Sequence, residues 1–200
     1  MLQKQVRPAT VLTLLLCSIT GLIYPGIVTA VVQVLFPRQA NGSLITAADG
    51  QVIGSELIGQ AFVRAEYFHP RPSAAGNGYD GTASGGTNKG PTDVKLADTL
   101  IARAVDSDVT LDGAPQGRVP SDLATSSGSG LDPHISPASA LLQAPRVARA
   151  RGLDSAAVRA LVQRHVEGRQ FGFLGDPRVN VLTLNLALDS LRPAGDTTLR

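Results

Sequence analysis

The sequence predicts an α+β protein: one N-terminal transmembrane helix, then a single small soluble domain with long Gly/Pro-rich loops. Three observations carry this. Residues 8–37 contain no Asp, Glu, Lys, Arg or His. Short apolar runs around Asp49-Gly50 read as a β-hairpin. Capped segments of helical period follow further along, separated by stretches rich in Gly, Pro and Ser. The resulting organisation is a cytoplasmic N-terminus over 1–8, a transmembrane helix over 9–36 and a soluble, extracytoplasmic domain over 37–200.

A helix rises about 1.5 Å per residue and the hydrocarbon core is roughly 30 Å thick, so ~20 apolar residues cross it. The charge-free run is longer, so tilt or a kink at Pro25 is expected. Pro8 suits a first helical position and Pro37 a stop. Val28-Thr29-Ala30 resembles a signal-peptide cleavage site. The apolar run continues through Val31 to Phe36, however, and cleavage would leave an oily tail, so retention is expected. Lys4 and Arg7 precede the span and only Arg38 follows closely, which places the N-terminus inside. Thr13, Cys17, Gly21, Pro25 and Thr29 recur every four residues, a small-residue face on which another helix packs closely.

Three of the 18 lysines and arginines lie at or before Arg38, leaving 15 in the soluble part against all 16 acidic residues. The basic character thus belongs to the anchor, and nucleic acid is not an expected partner. The only cysteine, Cys17, is in the span, so the domain folds without disulfides.

Ser43 to Ala47 and Gln51 to Gly54 are the hairpin arms. Leu57 to Phe62 reads as continued strand or a short helix, and 69–92 as loop. Asp93 to Asp106 has a helical period, with Ala97, Leu100, Ile101, Ala104 and Val105 on one face and Thr92 as cap. Residues 112–135 are irregular. Ser136-Pro137 opens a second helix carrying Leu141, Leu142, Val147 and Ala148, with a kink expected at Pro145 and an end at Gly152. Asp154 caps a third, with Val158, Leu161, Val162, His165 and Val166 inward and Gly168 closing it. The tail 179–191 fits strand or helix; Ala187 and the lack of β-branched residues after Thr183 favour helix.

Among chemistry-bearing motifs, the glycine segment Ser84-Gly85-Gly86-Thr87-Asn88-Lys89 could offer backbone N–H groups to phosphate, but it is not a Walker A loop. A surface loop leading into the next helix is the simpler reading. Ser127, Ser129, Asp132 and His134 have hydrolase residue types without a Gly-x-Ser-x-Gly elbow, so no catalytic residue is assigned. His69, His134 and His165 are too scattered for a metal site, and none is expected. Seven arginines between Arg146 and Arg178 read as a solvated face, with a phosphate or acidic-partner surface as the alternative.

Several blocks in order resemble one family: Tyr24-Pro25 in the anchor, Gly54-Ser55-Glu56-Leu57-Ile58-Gly59-Gln60, Tyr67-Phe68, Arg71-Pro72-Ser73, Ser84 to Thr92, Ser127-Gly128-Ser129-Gly130-Leu131-Asp132-Pro133-His134-Ile135, Gln143 with Arg146-Val147-Ala148 and Arg151-Gly152, and Gly175-Asp176-Pro177-Arg178-Val179-Asn180-Val181-Leu182 through Asp189. The chain is similar to the C subunits of Kdp potassium-transporting P-type ATPases; Pro145 departs from their pattern. The resemblance implies an accessory subunit without a catalytic site of its own, in a bacterial inner membrane. Its implied partners are a potassium-channel-like subunit and a P-type subunit that hydrolyses ATP, with potassium as the transported ion and lipid around the span. It further implies a catalytic chaperone that raises ATP affinity, ATP being shared with the ATPase subunit through Ser84 to Lys89. The loop lacks the leading Leu and closing Gln of the ABC-type signature it resembles. Charge bias also places it outside, where ATP is scarce, so a nucleotide role needs the opposite topology or an indirect effect. Asp80, Asp93 and Asp132 are carboxylates that could influence potassium entry. The rival readings are a membrane-anchored periplasmic hydrolase using Ser129 and His134, and a nucleotide-binding regulator.

Overall fold

A computed structural model describes residues 2–106 and 119–191. The chain divides into two compact units, Met1–Ser55 and Glu56–Arg200.

In the first unit, α1 (Leu2–Ser18) runs through a π-helical turn (Ile19–Ile23) into α2 (Tyr24–Leu35), and α3 (Pro37–Ala40) follows. One helix, Lys4–Leu35, is long and apolar enough to cross a membrane. The helix starts at Leu2, so Pro8 lies inside it and not at its first position. Only one backbone bond is lost there, because Pro lacks an N–H. The irregularity expected at Pro25 takes the form of the π turn immediately before it, where Tyr24 N–H reaches back to the Ile19 carbonyl. Phe36 leaves helical geometry at φ −137°, and Pro37 opens the short next helix. Strands β1 (Leu44–Thr46) and β2 (Val52–Ser55) pair antiparallel around Asp49-Gly50, as the turn chemistry requires; Gly50 has φ +84°. The Asp49 carboxylate accepts the Gln51 N–H at 3.0 Å.

In the second unit, residues 57–62 form turn and irregular chain, neither strand nor helix. Helix α4 (Val94–Asp106) is capped by Asp93, whose carboxylate accepts the Leu96 N–H at 2.9 Å, so Thr92 is not the cap. Its face is largely exposed at Val94, Ala97 and Ile101; the side chains of Ala104 and Val105 and residues 112–118 lie outside the described residues. After α5 (Ser121–Ala124) and β3 (His134–Ile135) comes α6 (Pro137–Arg151). Ser136 caps α6, Pro137 is its first residue, Pro145 sits inside it, and Gly152 ends it with φ 64°. Asp154 caps α7 (Ser155–Arg164), which ends at His165 and not at Gly168. Val166 and Glu167 turn extended as β4, because β5 (Arg178–Asn180) offers them an antiparallel partner. The sheet order is β3-β5-β4. The tail enters α8 (Val181–Asp189), capped by Asn180.

Phe68, Ile135, Val147, Val158, Val162, Val179, Leu184 and Leu188 meet in one core where α6, α7 and α8 pack on this sheet. Burying such side chains contributes about 1.5–3 kcal/mol each. The irregular segment 64–69 is held to that core by side chains. The Asn185 carboxamide accepts the Phe68 N–H at 2.9 Å and donates to the Phe68 carbonyl at 3.0 Å. Gln143 does the same for His69, at 2.7 and 3.0 Å.

Candidate functional site

The two glycine-rich segments singled out in the sequence meet in space. Gly85 donates its N–H to the Ser129 carbonyl at 2.9 Å, and Ser84 Oγ donates to the same oxygen at 3.0 Å. Ser73 Oγ donates to the Gly130 carbonyl at 2.6 Å while accepting the Ala75 and Tyr79 N–H groups. Gly130 stands at φ +67°, and a Cβ there would lie 2.6 Å from both Ala75 N and Gly85 O. A Cβ on Gly86 would come within 3.1 Å of Gly128 O, and one on Gly59 within 2.8 Å of Asp132 O. The glycines are therefore required for backbone-to-backbone approach. Thr87, Asn88 and Lys89 are exposed; Asn88 is left-handed at φ 53°, and Lys89 Nζ lies 3.5 Å from Asp93.

Beside this junction, Arg71 donates to Asp132 at 3.1 Å and to the Thr125 and Ser126 carbonyls. His134 approaches the other Asp132 oxygen, with its ring at 3.3 Å and its backbone N–H at 3.0 Å. Burial alone would raise the Asp132 carboxyl. The His134 hydrogen bonds and the Arg71 charge outweigh it and hold the group below the ordinary carboxylate range. Tyr79 donates its phenol to the Arg71 carbonyl, and burial pushes that phenol up to about 12. A shallow apolar cleft of ≈ 290 Å³ adjoins, lined in part by Phe62, Val63, His69, Pro70, Arg71 and Tyr79.

The residue types of a hydrolase lie near one another here but bond to different partners. The hydrogen-bond partner of the His134 ring is Asp132, while Ser129 Oγ accepts the Leu131 N–H at 3.1 Å and lies 3.4 Å from Ser127 Oγ. An Asp–His pair is thus present, with no serine hydroxyl on the ring among the described residues. The three carboxylates considered for potassium have separate tasks: Asp80 accepts from Thr82, Asp93 caps α4 and Asp132 holds Arg71.

In the N-terminal apolar helix, the π turn changes the geometry of the small-residue face. At about 100° per residue, sixteen α-helical steps would leave Thr13 and Thr29 roughly 160° apart. One residue inserted in a π turn removes about 100°, leaving roughly 60°. Thr13, Cys17, Gly21, Pro25 and Thr29 are exposed and share one side more closely than a regular helix would allow. Thr20 bonds back to the Leu16 carbonyl at 2.8 Å, so its hydroxyl is satisfied within the helix.

Of the seven arginines, Arg149, Arg159, Arg164 and Arg169 are exposed, as a solvated face requires, whereas Arg146 and Arg151 are drawn inward. Arg146 is buried and donates to the Ala65 and Tyr67 carbonyls at 2.5 and 3.1 Å. Arg151 donates to the Glu66 carbonyl and Asp189, both at 2.7 Å, and lies over the Tyr67 ring at 4.8 Å. Both grip segment 64–69, neither solvated nor facing a ligand. Periodicity carried no signal for this contact; the resemblance pointed to these residues, since Gln143, Arg146 and Arg151 stand among the blocks that carry it.

Fold and site together define an α+β chain with an N-terminal apolar helix of membrane-spanning length and a domain whose loops interlock around an Arg–Asp–His cluster. The family described as "KdpC: K+-transporting ATPase, c chain" matches residues 6–190. A potassium-transporting ATPase KdpC subunit from Gemmatimonas aurantiaca is 62% identical over 191 residues, covering 95% of this chain and 94% of that protein. Subunits of the same name from Caulobacter sp. and Koribacter versatilis are 54% and 49% identical over 192 residues, covering 96% of this chain and 96% and 97% of theirs. The chain belongs to the KdpC family.

Proposed function

We propose that this chain is the accessory, non-catalytic subunit of an ATP-driven potassium uptake pump, held by one span and stabilising the assembly. The observation that carries the reading is the family match from residue 6 to residue 190, anchor and domain alike. The anchor's small-residue side packs against a helix of the channel-like subunit. The N-terminus is cytoplasmic and the domain extracytoplasmic, as the positions of Lys4, Arg7 and Arg38 favour. An effect on ATP affinity then acts through assembly, as a catalytic chaperone, and not through a phosphate cradle. Gly85 N–H is already given to the Ser129 carbonyl and is not open to a phosphate. Direct nucleotide contact would fall to the exposed groups of Thr87, Asn88 and Lys89.

Two experiments test this. Loss of the chain should abolish growth on low potassium while leaving growth on high potassium intact; unaffected growth would overturn the pump assignment. Val63 is strongly exposed, so a V63C variant in a C17A background reports topology. Labelling by an impermeant thiol reagent in intact spheroplasts is expected. Labelling only after lysis would reverse the topology and reopen the nucleotide reading.

A further inference from the structure

Residues 168–177 join β4 to β5 as a projecting arm. Its end is closed by paired backbone bonds, Gln170 N–H to the Leu174 carbonyl and the reverse, both 2.9 Å, with Gly172 N–H on the Arg169 carbonyl at 3.1 Å. The root is fixed by Val179, fully buried, and by Val166, packed on the core. The tip is a preorganised element carrying apolar side chains into solvent: Phe171 is 87% exposed, Phe173 70% and Leu174 48%. These are two of only five phenylalanines in a chain without tryptophan. Phe171 also stands at φ 53°, where an aromatic residue is strained and Gly or Asn would be relaxed. Neither core packing nor turn chemistry accounts for an aromatic there.

The flanking charges indicate what the tip meets. Arg169 pairs with Asp176 at 3.1 Å and Arg178 with Glu167 at 3.0 Å, so the stem is electroneutral. Asp176 is 90% exposed beside the tip. A loop built for an anionic lipid surface presents unpaired cations there. A rigid aromatic tip on a neutral, hydrogen-bonding rim instead matches the anchor-and-rim pattern of protein interfaces. We propose that Phe171, with Phe173 and Leu174, is the anchor by which this chain docks into an apolar pocket of a larger protein of the assembly. The inference rests on the pump-subunit reading and adds the residues and chemistry of the contact.

Because the chain lacks Trp, F171W introduces a single reporter into it, read in the complex as the difference from the same assembly carrying the parent chain. The full-length chain is reconstituted alone into vesicles containing brominated phosphatidylcholine, and separately co-purified with the P-type ATPase and channel-like proteins. Solvent-like emission in vesicles, with a blue shift and protection from acrylamide in the complex, is expected. Quenching by brominated lipid in the chain alone would overturn the proposal in favour of the bilayer, and solvent-like emission in both states would overturn it outright. Asn tolerates the left-handed backbone, so F171N with F173S removes the anchor without straining the turn. That double variant should melt as the parent does and dissociate from the complex roughly thirtyfold or more faster. An unchanged dissociation rate refutes the docking role alone. Failure of the unmodified chain to co-purify with these proteins would overturn the pump-subunit reading and this inference together.

Discussion

Replacing Gly130 by Ala is the sharpest test of the interlocked loops. The new methyl group would sit 2.6 Å from Ala75 N and from Gly85 O, and 2.9 Å from Ala75 Cβ, closer than real atoms approach. Left-handed backbone costs a non-glycine residue about 1–2 kcal/mol. Forcing two backbones apart adds about 1–3 kcal/mol by analogy with overpacked cores. The total, about 2–5 kcal/mol, is a large share of a typical domain stability of ~5–15 kcal/mol. At roughly 2–4 °C per kcal/mol for a chain of this size, the midpoint should fall by about 10 °C. Circular dichroism melting of the full-length chain in detergent measures it. Two controls separate the causes. Gly175 has φ +74° with open space around it, so G175A should show only the left-handed penalty, about 1–2 kcal/mol. Gly128 has neither constraint, so G128A should change stability by less than about 1 kcal/mol. If G130A melts no lower than G175A, the collision is not real and the two loops do not interlock.

Other outcomes follow from single contacts. Asn185→Ala leaves the buried Phe68 N–H and carbonyl without their partner, costing about 2–4 kcal/mol; a lower denaturation midpoint with unchanged m-value would show it. Asp132 has a lowered folded-state pKa, so its stabilisation is complete above the unfolded value of ~3.9 and vanishes as pH falls through the folded value. Asp132→Asn should therefore lower stability at pH 7 and flatten the loss between about pH 4 and 2; parallel acid profiles for the two proteins would contradict this. Gly21→Leu places a bulky group on the small-residue side proposed to pack against a partner helix, and reduced recovery of the detergent-solubilised complex is the expected reading. Unchanged recovery would locate the packing elsewhere.

Where structure depends on neighbours in sequence, it was legible. Ser136-Pro137 and Gly152 bracket α6, Asp154 starts α7, and Asp49-Gly50 turns the hairpin, because caps and turns are local chemistry. The α8 assignment also held, since Asn180 supplies a cap that pure alternation of leucines does not need. Failures came where a distant partner decides. Val166 and Glu167 leave the helical pattern because β5 pairs with them. Asp93 took the cap from Thr92 by a one-residue shift of the helix start. Of the site, the sequence identified both glycine segments but not that they serve each other. Spacing shows a glycine's freedom, and only the fold shows what approaches it. Arg146 and Arg151 looked solvated because periodicity cannot report a strandless loop lying across the helix.

The Gln143 and Asn185 carboxamides stand in for an absent neighbouring strand, each presenting one donor and one acceptor to a main-chain residue. A stretch fixed this way is freed from the demands of a sheet. It can carry Pro70 and Pro72, which no central strand tolerates, with Arg71 between them. The two carboxamides thus set the starting point from which Arg71 is delivered to Asp132, a long-range contact reached without any strand beside it.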